Sequence, residues 1–302
     1  MMSPWRFWAG SAALLAGLLA LVVWLLLHWN MSNFSQQIAD RLLLLAELRR
    51  GAVQEYFSTA QAELRFWSSN ADLLDAQAEL VSLWQAGDVA QQVQQSYIED
   101  NPNPPGFYLN LDDAGDGTEY SALHSRLHEQ ARLFITRRGY YDFFLIGPDG
   151  DIFYSVEKES DFATNLLDGE WADSGLASVF REARQYRAAR RIALSDMQAY
   201  EPSNGAPAIF MATAMHDTGG RFLGVIAFQL PTDRILGIMN YTSGMGETGE
   251  TYLVGSDKLM RSDSRFSEQS TVLQQRVESP GVQRALDGEE GMLYVSDYRG
   301  IE

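Results

Sequence analysis

Tyr140-Tyr141-Asp142-Phe143-Phe144-Leu145-Ile146 runs into Gly147-Pro148-Asp149-Gly150 and then into Asp151-Ile152-Phe153-Tyr154-Ser155-Val156. Two runs rich in aromatic and β-branched residues flank Pro-Asp-Gly turn chemistry, which predicts a β-hairpin with strands at Tyr140 to Ile146 and Asp151 to Val156. Further on, Leu176 to Arg187 has helical spacing. Strands are expected at Arg191 to Leu194, Ala208 to Met215 and Phe222 to Leu230, the last two joined by the turn His216-Asp217-Thr218-Gly219-Gly220. Upstream, Glu119 to Thr136 reads as a helix after the turn-rich Asp112 to Gly117. The expected unit is an α+β domain, an antiparallel sheet with helices on one side.

The same order of signals begins again after Pro231 to Gly249, a connection that includes a helix over Asp233 to Asn240. Thr251 to Gly255, a Ser256-Asp257 turn and Lys258 to Ser262 repeat the hairpin, followed by a helix at Pro280 to Leu286 and a strand at Gly291 to Asp297. This predicts a second, incomplete module, short by at least two strands, and a chain that is a piece of a longer protein.

Before the first module, no proline occurs between Met31 and Asn101, and Phe34, Ile38, Leu42, Leu45, Leu48, Phe57, Ala60, Leu64 and Trp67 recur mostly at three- and four-residue steps. A long amphipathic helix follows, with a second one within Ala71 to Tyr97 and a break at Pro102, Pro104 and Pro105. Phe7 to Leu27 is apolar apart from glycines and Ser11, and as a helix it reaches about 32 Å, enough to span a bilayer. Trp5, Trp8, Trp24 and Trp29 stand at its ends, and Arg6 makes the N-terminal side the positive one, so the bulk of the chain is expected outside the cytoplasm. No small-x-small cleavage pattern precedes Asn30, which favours an anchor over a signal peptide. Residues 1–30 are thus expected to be the anchor, 31–101 a helical stalk, 102–240 a membrane-distal module and 241–302 a membrane-proximal one.

The chain has 40 acidic and 23 basic residues, a net charge of -17 and no cysteine. It lacks the basic surface that nucleic acid requires, and it contains no disulfide, thiolate metal site or cysteine nucleophile. No serine elbow, supported acid-base pair or nucleotide fingerprint is present, so this region is read as non-enzymatic and without cofactor. Gly244-Met245-Gly246-Glu247-Thr248-Gly249 lacks the lysine of a phosphate loop and reads as a turn between modules. His124 and His128, four apart on a predicted helix beside Glu129, have a metal-pair spacing without a third ligand, and are read as part of a solvated face. Arg261, Asp263 and Arg265 are candidates for a structural ion-pair cluster.

Tyr140 to Ile146, Asp161-Phe162-Ala163-Thr164-Asn165-Leu166, Tyr200-Glu201-Pro202-Ser203, and Gly246 to Gly255 with Leu259 to Phe266 together resemble the double Cache sensor domains of bacterial chemoreceptors, sensor kinases and nucleotide cyclases. The resemblance covers nearly everything after the anchor. It implies a long helix followed by two PAS-like modules, the distal one binding a small ligand, in a homodimeric receptor of the bacterial inner membrane. Relatives that bind α-amino acids use an arginine, a tryptophan-tyrosine pair and acidic residues. Here Arg138-Gly139-Tyr140-Tyr141 precedes the hairpin instead of following it, Tyr200 is followed by Pro202 where an acid is expected, and Gln229 stands where another acid would hold the ammonium. The implied ligand is therefore a small polar molecule other than a standard α-amino acid.

On that basis Lys158, Asp161, Asn165, Trp171, Asp196, Tyr200 and Gln229 are the expected ligand contacts. The function expected is extracytoplasmic sensing and transmembrane signalling, first as part of a chemoreceptor, with a kinase or cyclase output, or an envelope protein-interaction module, as alternatives.

Overall fold

The computed structural model describes residues 4–186 and 191–300, with side chains from Leu14 onward. The side chains of Trp5, Arg6 and Trp8, and the expected helix end at Arg187, lie outside the described residues. The first element, α1 (Pro4–Ser68), is one helix of 65 residues that takes in both the apolar segment and the first half of the stalk. It contains an 18-residue window of mean hydropathy 2.0, none of it buried, so it is long and apolar enough to cross a membrane. Leucine-rich sequence without proline gives the backbone no reason to break between the two parts.

The break comes at Asn70, whose side chain accepts from the Leu73 amide at 3.0 Å and caps α2 (Ala71–Ala86). Gly87 ends α2, and the rest of the expected second helix is a short α3 (Val89–Gln94) and a π turn over Gln95–Glu99. Thr118 caps α4 (Glu119–Arg138), and Gly139 closes it in the left-handed conformation at φ 70°.

Strands β1 (Asp142–Ile146) and β2 (Ile152–Ser155) form the expected hairpin, and α5 (Gly175–Ala183) follows. Two short strands, β3 (Ala193–Leu194) and β4 (Gln198–Tyr200), lie along one edge of β5 (Ala206–His216), which pairs with β6 (Phe222–Leu230). The sheet is antiparallel throughout, in the order β2-β1-β6-β5-β3. Helix α6 (Asp233–Met239) leaves it toward α1, and α7 (Pro280–Leu286) lies where the sequence places it.

Helices cover both faces of the sheet, which corrects the one-sided expectation. Phe143, Leu145, Met211, Ile226 and Phe228 join Ala60 and Leu64 of α1, Leu73 and Leu80 of α2 and Ile135 of α4 in one core. Phe144, Ile146, Phe210, Ala212, Val225 and Ala227 face the other way and pack on Leu176, Val179 and Phe180 of α5. All five residues of β1 are buried, and a strand buried along its whole length has two faces to cover. One close approach locks this arrangement. Gly224, at φ 132°, lies so near β1 that a Cβ would sit 2.1 Å from the Ile146 carbonyl, and the Gln77 amide of α2 bonds that carbonyl at 3.1 Å and that of Leu223 at 3.0 Å.

Residues 241–300 hold fewer regular elements than expected. Among the described residues, the second hairpin is reduced to single bridges, Val254 with Met260 and Leu259 with Arg276, and 291–297 is not a strand. A strand exists only by pairing, and 291–297 has no described strand beside it. A small core of Met260, Val277 and Val282, flanked by Tyr252, Val254 and Tyr298, holds the segment together.

Candidate functional site

At the start of β1 the run of apolar residues is interrupted by Asp142, fully buried and directly opposite Gln229 on β6, on the sheet face that α5 covers. Adjacent strands place these two side chains about 5 Å apart at Cβ. Tyr200, at the end of β4, reaches the same region because Asn204 and Gly205, both at positive φ, turn the chain sharply into β5. The loop after β2 completes the cluster, with Asp161 fully buried and accepting from the Tyr200 hydroxyl.

The remaining contacts form a chain. The Gln229 amide donates to Ser203 Oγ at 3.1 Å, Ser203 donates to Glu159 at 2.6 Å, and Tyr141 donates to the other oxygen of Glu159 at 2.6 Å. Asp142 Oδ1 accepts from the amides of Phe143, Val156 and Glu157 at 2.6, 2.8 and 3.2 Å. Three buried acceptors have no partner: Asp142 Oδ2, Asp161 Oδ1 and Gln229 Oε1. Burial pushes the Asp161 carboxyl up to about 7, and it raises Asp142 well above the usual carboxylate range, with Glu157 and Asp161 adding repulsion. Glu157 is raised to about 7 by burial and by Glu159.

Of the seven expected contacts, the structure brings Asp161, Tyr200 and Gln229 together. Trp171 borders them, its ring nitrogen 3.4 Å from the Ser160 carbonyl. Asn165 instead fastens the hairpin, bonding the Asp149 carbonyl at 3.1 Å and Asp151 at 2.9 Å. Asp196 leaves the module to pair with Arg261. Lys158 turns toward α4, donating to the Val156 carbonyl at 3.1 Å and lying 3.3 Å from His128 Nε2.

His128 and His124 are buried, which corrects the solvated reading. They follow Tyr120 at four-residue steps on the inward stripe of α4 and stack with ring centroids 4.5 Å apart. His128 Nε2 faces the Leu109 carbonyl at 2.7 Å and so carries the proton, while Nδ1 accepts from the Tyr154 hydroxyl at 2.7 Å. Burial lowers His128 to about 3 and Lys158 to about 7. Among the described residues, no three His, Cys, Asp or Glu side chains are grouped to hold a metal. Arg261, Asp263 and Arg265 do not bond one another. Arg261 pairs with Asp196 and Asp257, Asp263 accepts from Ser270 and Thr271, and Arg265 bonds the carbonyls of Gly246 and Gly249.

Arg138-Gly139-Tyr140-Tyr141 serves two places: Arg138 and Tyr140 hold Glu63 of α1 at 2.7 and 2.6 Å, and Tyr141 belongs to the buried cluster. The members of this buried cluster that the sequence did not single out as ligand contacts are Asp142, Glu159, Ser203 and Tyr141. The one signal available was Asp142 itself, a lone carboxylate in a strand otherwise apolar. Open clefts lie elsewhere, among them a groove of about 830 Å³ between α2 and α4 and one of about 540 Å³ between α1 and α6.

No protein-family model matches the chain, and no curated protein sequence matches it significantly. The solved structures that match include sensor domains of chemoreceptors and histidine kinases. The ligand-binding domain of the Pseudomonas fluorescens chemoreceptor CtaA, solved with L-serine, is 17% identical over 66% of this chain and 71% of its own, with a TM-score of 0.35. That of the Pseudomonas aeruginosa chemoreceptor PctC, solved with GABA, is 16% identical over 65% and 78%, at 0.36. The sensor domain of the Vibrio cholerae histidine kinase DctB is 14% identical over 71% and 74%, at 0.37.

Proposed function

We propose that this chain is the membrane-anchored, extracytoplasmic sensing region of a transmembrane signalling receptor of the chemoreceptor kind, itself without catalytic activity. One observation carries the reading: α1 runs unbroken from the apolar window to the sheet, where Ala60 and Leu64 are fully buried. From Leu27 to Ala60 the helix rises about 50 Å. A displacement of the sheet against α1 is therefore a displacement of the membrane segment, with no flexible linker to absorb it. The motifs that resemble double Cache sensors support the same reading.

In this proposal residues 102–240 are the ligand-binding module and 241–302 the membrane-proximal one, α1 is the transmitting rod, and two copies act together. The buried cluster of Asp142, Asp161, Tyr200, Ser203 and Gln229 is the ligand site, closed over by the loop 157–171. A ligand acts only through its differential affinity for two arrangements of the rod, and a tenfold population shift needs about 1.4 kcal/mol of preference.

The absence of native cysteine makes the test clean. Single cysteines placed at exposed positions of α1, such as Leu44 or Leu48, are cross-linked in membranes carrying the full chain, with and without a ligand found by thermal-shift screening. A ligand-dependent change in cross-linking rate is expected. A ligand that binds tightly while every α1 position cross-links unchanged refutes transmission through the rod, and labelling of residues beyond Met31 only from the cytoplasmic side refutes the topology.

A further inference from the structure

The buried cluster has an imbalance that defines the chemistry of what fits it. Asp142, Glu157, Glu159 and Asp161 supply four carboxyl groups, and among the described residues no lysine or arginine forms an ion pair with any of them. The nearest ammonium, that of Lys158, is turned to the α4 side and bonded to the Val156 carbonyl. The hydroxyl and backbone donors of the cluster are engaged: Tyr200 on Asp161, Tyr141 and Ser203 on Glu159, one N–H of the Gln229 amide on Ser203, and the three backbone amides on Asp142 Oδ1. Three buried side-chain oxygens remain unpartnered, Asp142 Oδ2, Asp161 Oδ1 and Gln229 Oε1, on residues at most 2% exposed. A buried acceptor left without a donor is costly, and a buried carboxylate without a cation more so.

Resting on the sensing reading above, we infer that the site takes a primary alkylammonium, a simple amine or diamine carrying no carboxylate, whose three N–H groups meet the oxygens of Asp142, Asp161 and Gln229. The three donors of an R–NH3⁺ group match three free acceptors in number. A carboxylate or phosphate on the ligand would meet four carboxyl groups and, among the described residues, no lysine or arginine paired with them. A quaternary ammonium has the charge but no N–H, so charge alone does not satisfy the site. Binding also draws protons off. Asp161, held at about 7 when empty, ionises beside the cation, so uptake of the amine near pH 6 releases protons.

The test is isothermal calorimetry on the full chain in detergent at pH 7.5, with n-propylammonium and 1,4-diaminobutane against tetramethylammonium, propionate and L-serine. Saturable binding of the two primary amines is expected, at least ~10-fold tighter than that of tetramethylammonium, with no measurable binding of propionate. Repeating the titration at pH 6 in buffers of different ionisation enthalpy should show proton release. Asp161→Asn should weaken amine binding at least ~10-fold, and Gln229→Glu, which adds a carboxylate opposite Asp142, should tighten it. Equal affinity for tetramethylammonium, or no amine binding at all, overturns the inference. If L-serine or a neutral solute binds instead and Asp161→Asn abolishes it, the cation is refuted while the sensing site stands. Should Asp161→Asn fail to fold, Gln229→Glu decides by itself, since unchanged or weaker amine binding there contradicts the inferred contact.

Discussion

Arg261 grips Asp196 with two hydrogen bonds, Nε to Oδ1 at 3.0 Å and Nη2 to Oδ2 at 2.7 Å, across 65 positions of chain. The same guanidinium bonds Asp257 at 2.9 Å. Its side chain is 8% exposed and it joins the segment that carries the edge strands to the C-terminal segment, beside a cavity of about 360 Å³ lined by Phe57, Met197, Ile209, Ile235 and Leu253. A residue expected at the ligand is thus a clamp between two parts of the chain, at the place where α1 and α6 also meet the sheet.

Removing that clamp should loosen the C-terminal segment first. Arg261→Met leaves Asp196 and Asp257 without their cation and should cost ~1–3 kcal/mol of stability. Hydrogen exchange should rise across residues 250–280 well before it rises in β5 and β6. Equal protection in mutant and parent would show that the ion pair contributes nothing there.

The buried carboxyls make a signed prediction about pH. Asp161 has its folded pKa raised from 3.8 to about 7, so its contribution is fully present below pH 3.8 and is lost as pH rises through 7. Asp161→Asn removes this titration. In the absence of ligand, the melting temperature of the variant relative to the parent should climb as pH goes from 4 to 7 and level off above 8. A difference that stays flat across this range would mean that Asp161 is not buried as an acid.

Lys158 titrates with the opposite sign. Burial lowers it from 10.5 to about 7, so the stability tied to its neutral form is present above pH 10.5 and falls away as pH drops toward 7. Lys158→Met keeps the length of the side chain and removes the buried amine. It should be neutral or stabilising by ~1–2 kcal/mol at pH 7, with the gain shrinking toward pH 10. Because the amine faces α4, ligand-induced thermal shifts should persist in this variant; their loss would return Lys158 to the binding site.

Gly224 tests the seam between α2 and the sheet. Gly224→Ala puts a methyl group 2.1 Å from the Ile146 carbonyl and 2.6 Å from the Gln77 amide, at a φ of 132° that other residues rarely adopt. A loss of ~2–4 kcal/mol in chemical denaturation is expected. Gln77→Met, which removes only the bonds to Ile146 and Leu223, should cost less, ~1–2 kcal/mol.

Much of the fold is a matter of local chemistry and was readable in order. The proline-free run from Met31 makes α1 continuous with the apolar segment, Pro148-Asp149-Gly150 turns β1 into β2, and Phe222 to Leu230 forms a strand with the bounds its residues suggest. The edge strand β4 was not legible, because Gln198-Ala199-Tyr200 is a strand only through its pairing with Ala206 to Ala208. The side of α4 that His124 and His128 occupy was equally hidden: spacing shows that they share a face, and only packing shows that Tyr97 and Tyr154 cover it.

The candidate site divides in the same way. Asp161, Tyr200 and Gln229, singled out on the resemblance, fall in one buried cluster, and the lack of cysteine and the acidic excess are read directly from the composition. Sequence determined which groups exist and which local elements hold them. Tertiary structure alone decided that Asp142 faces Gln229, that Lys158 turns away to α4, and that Asp196 is taken by Arg261. The reason is physical: helix and turn preferences act between residues a few positions apart, whereas the partner of a buried charge is chosen by strand register and by which neighbour can replace its lost water.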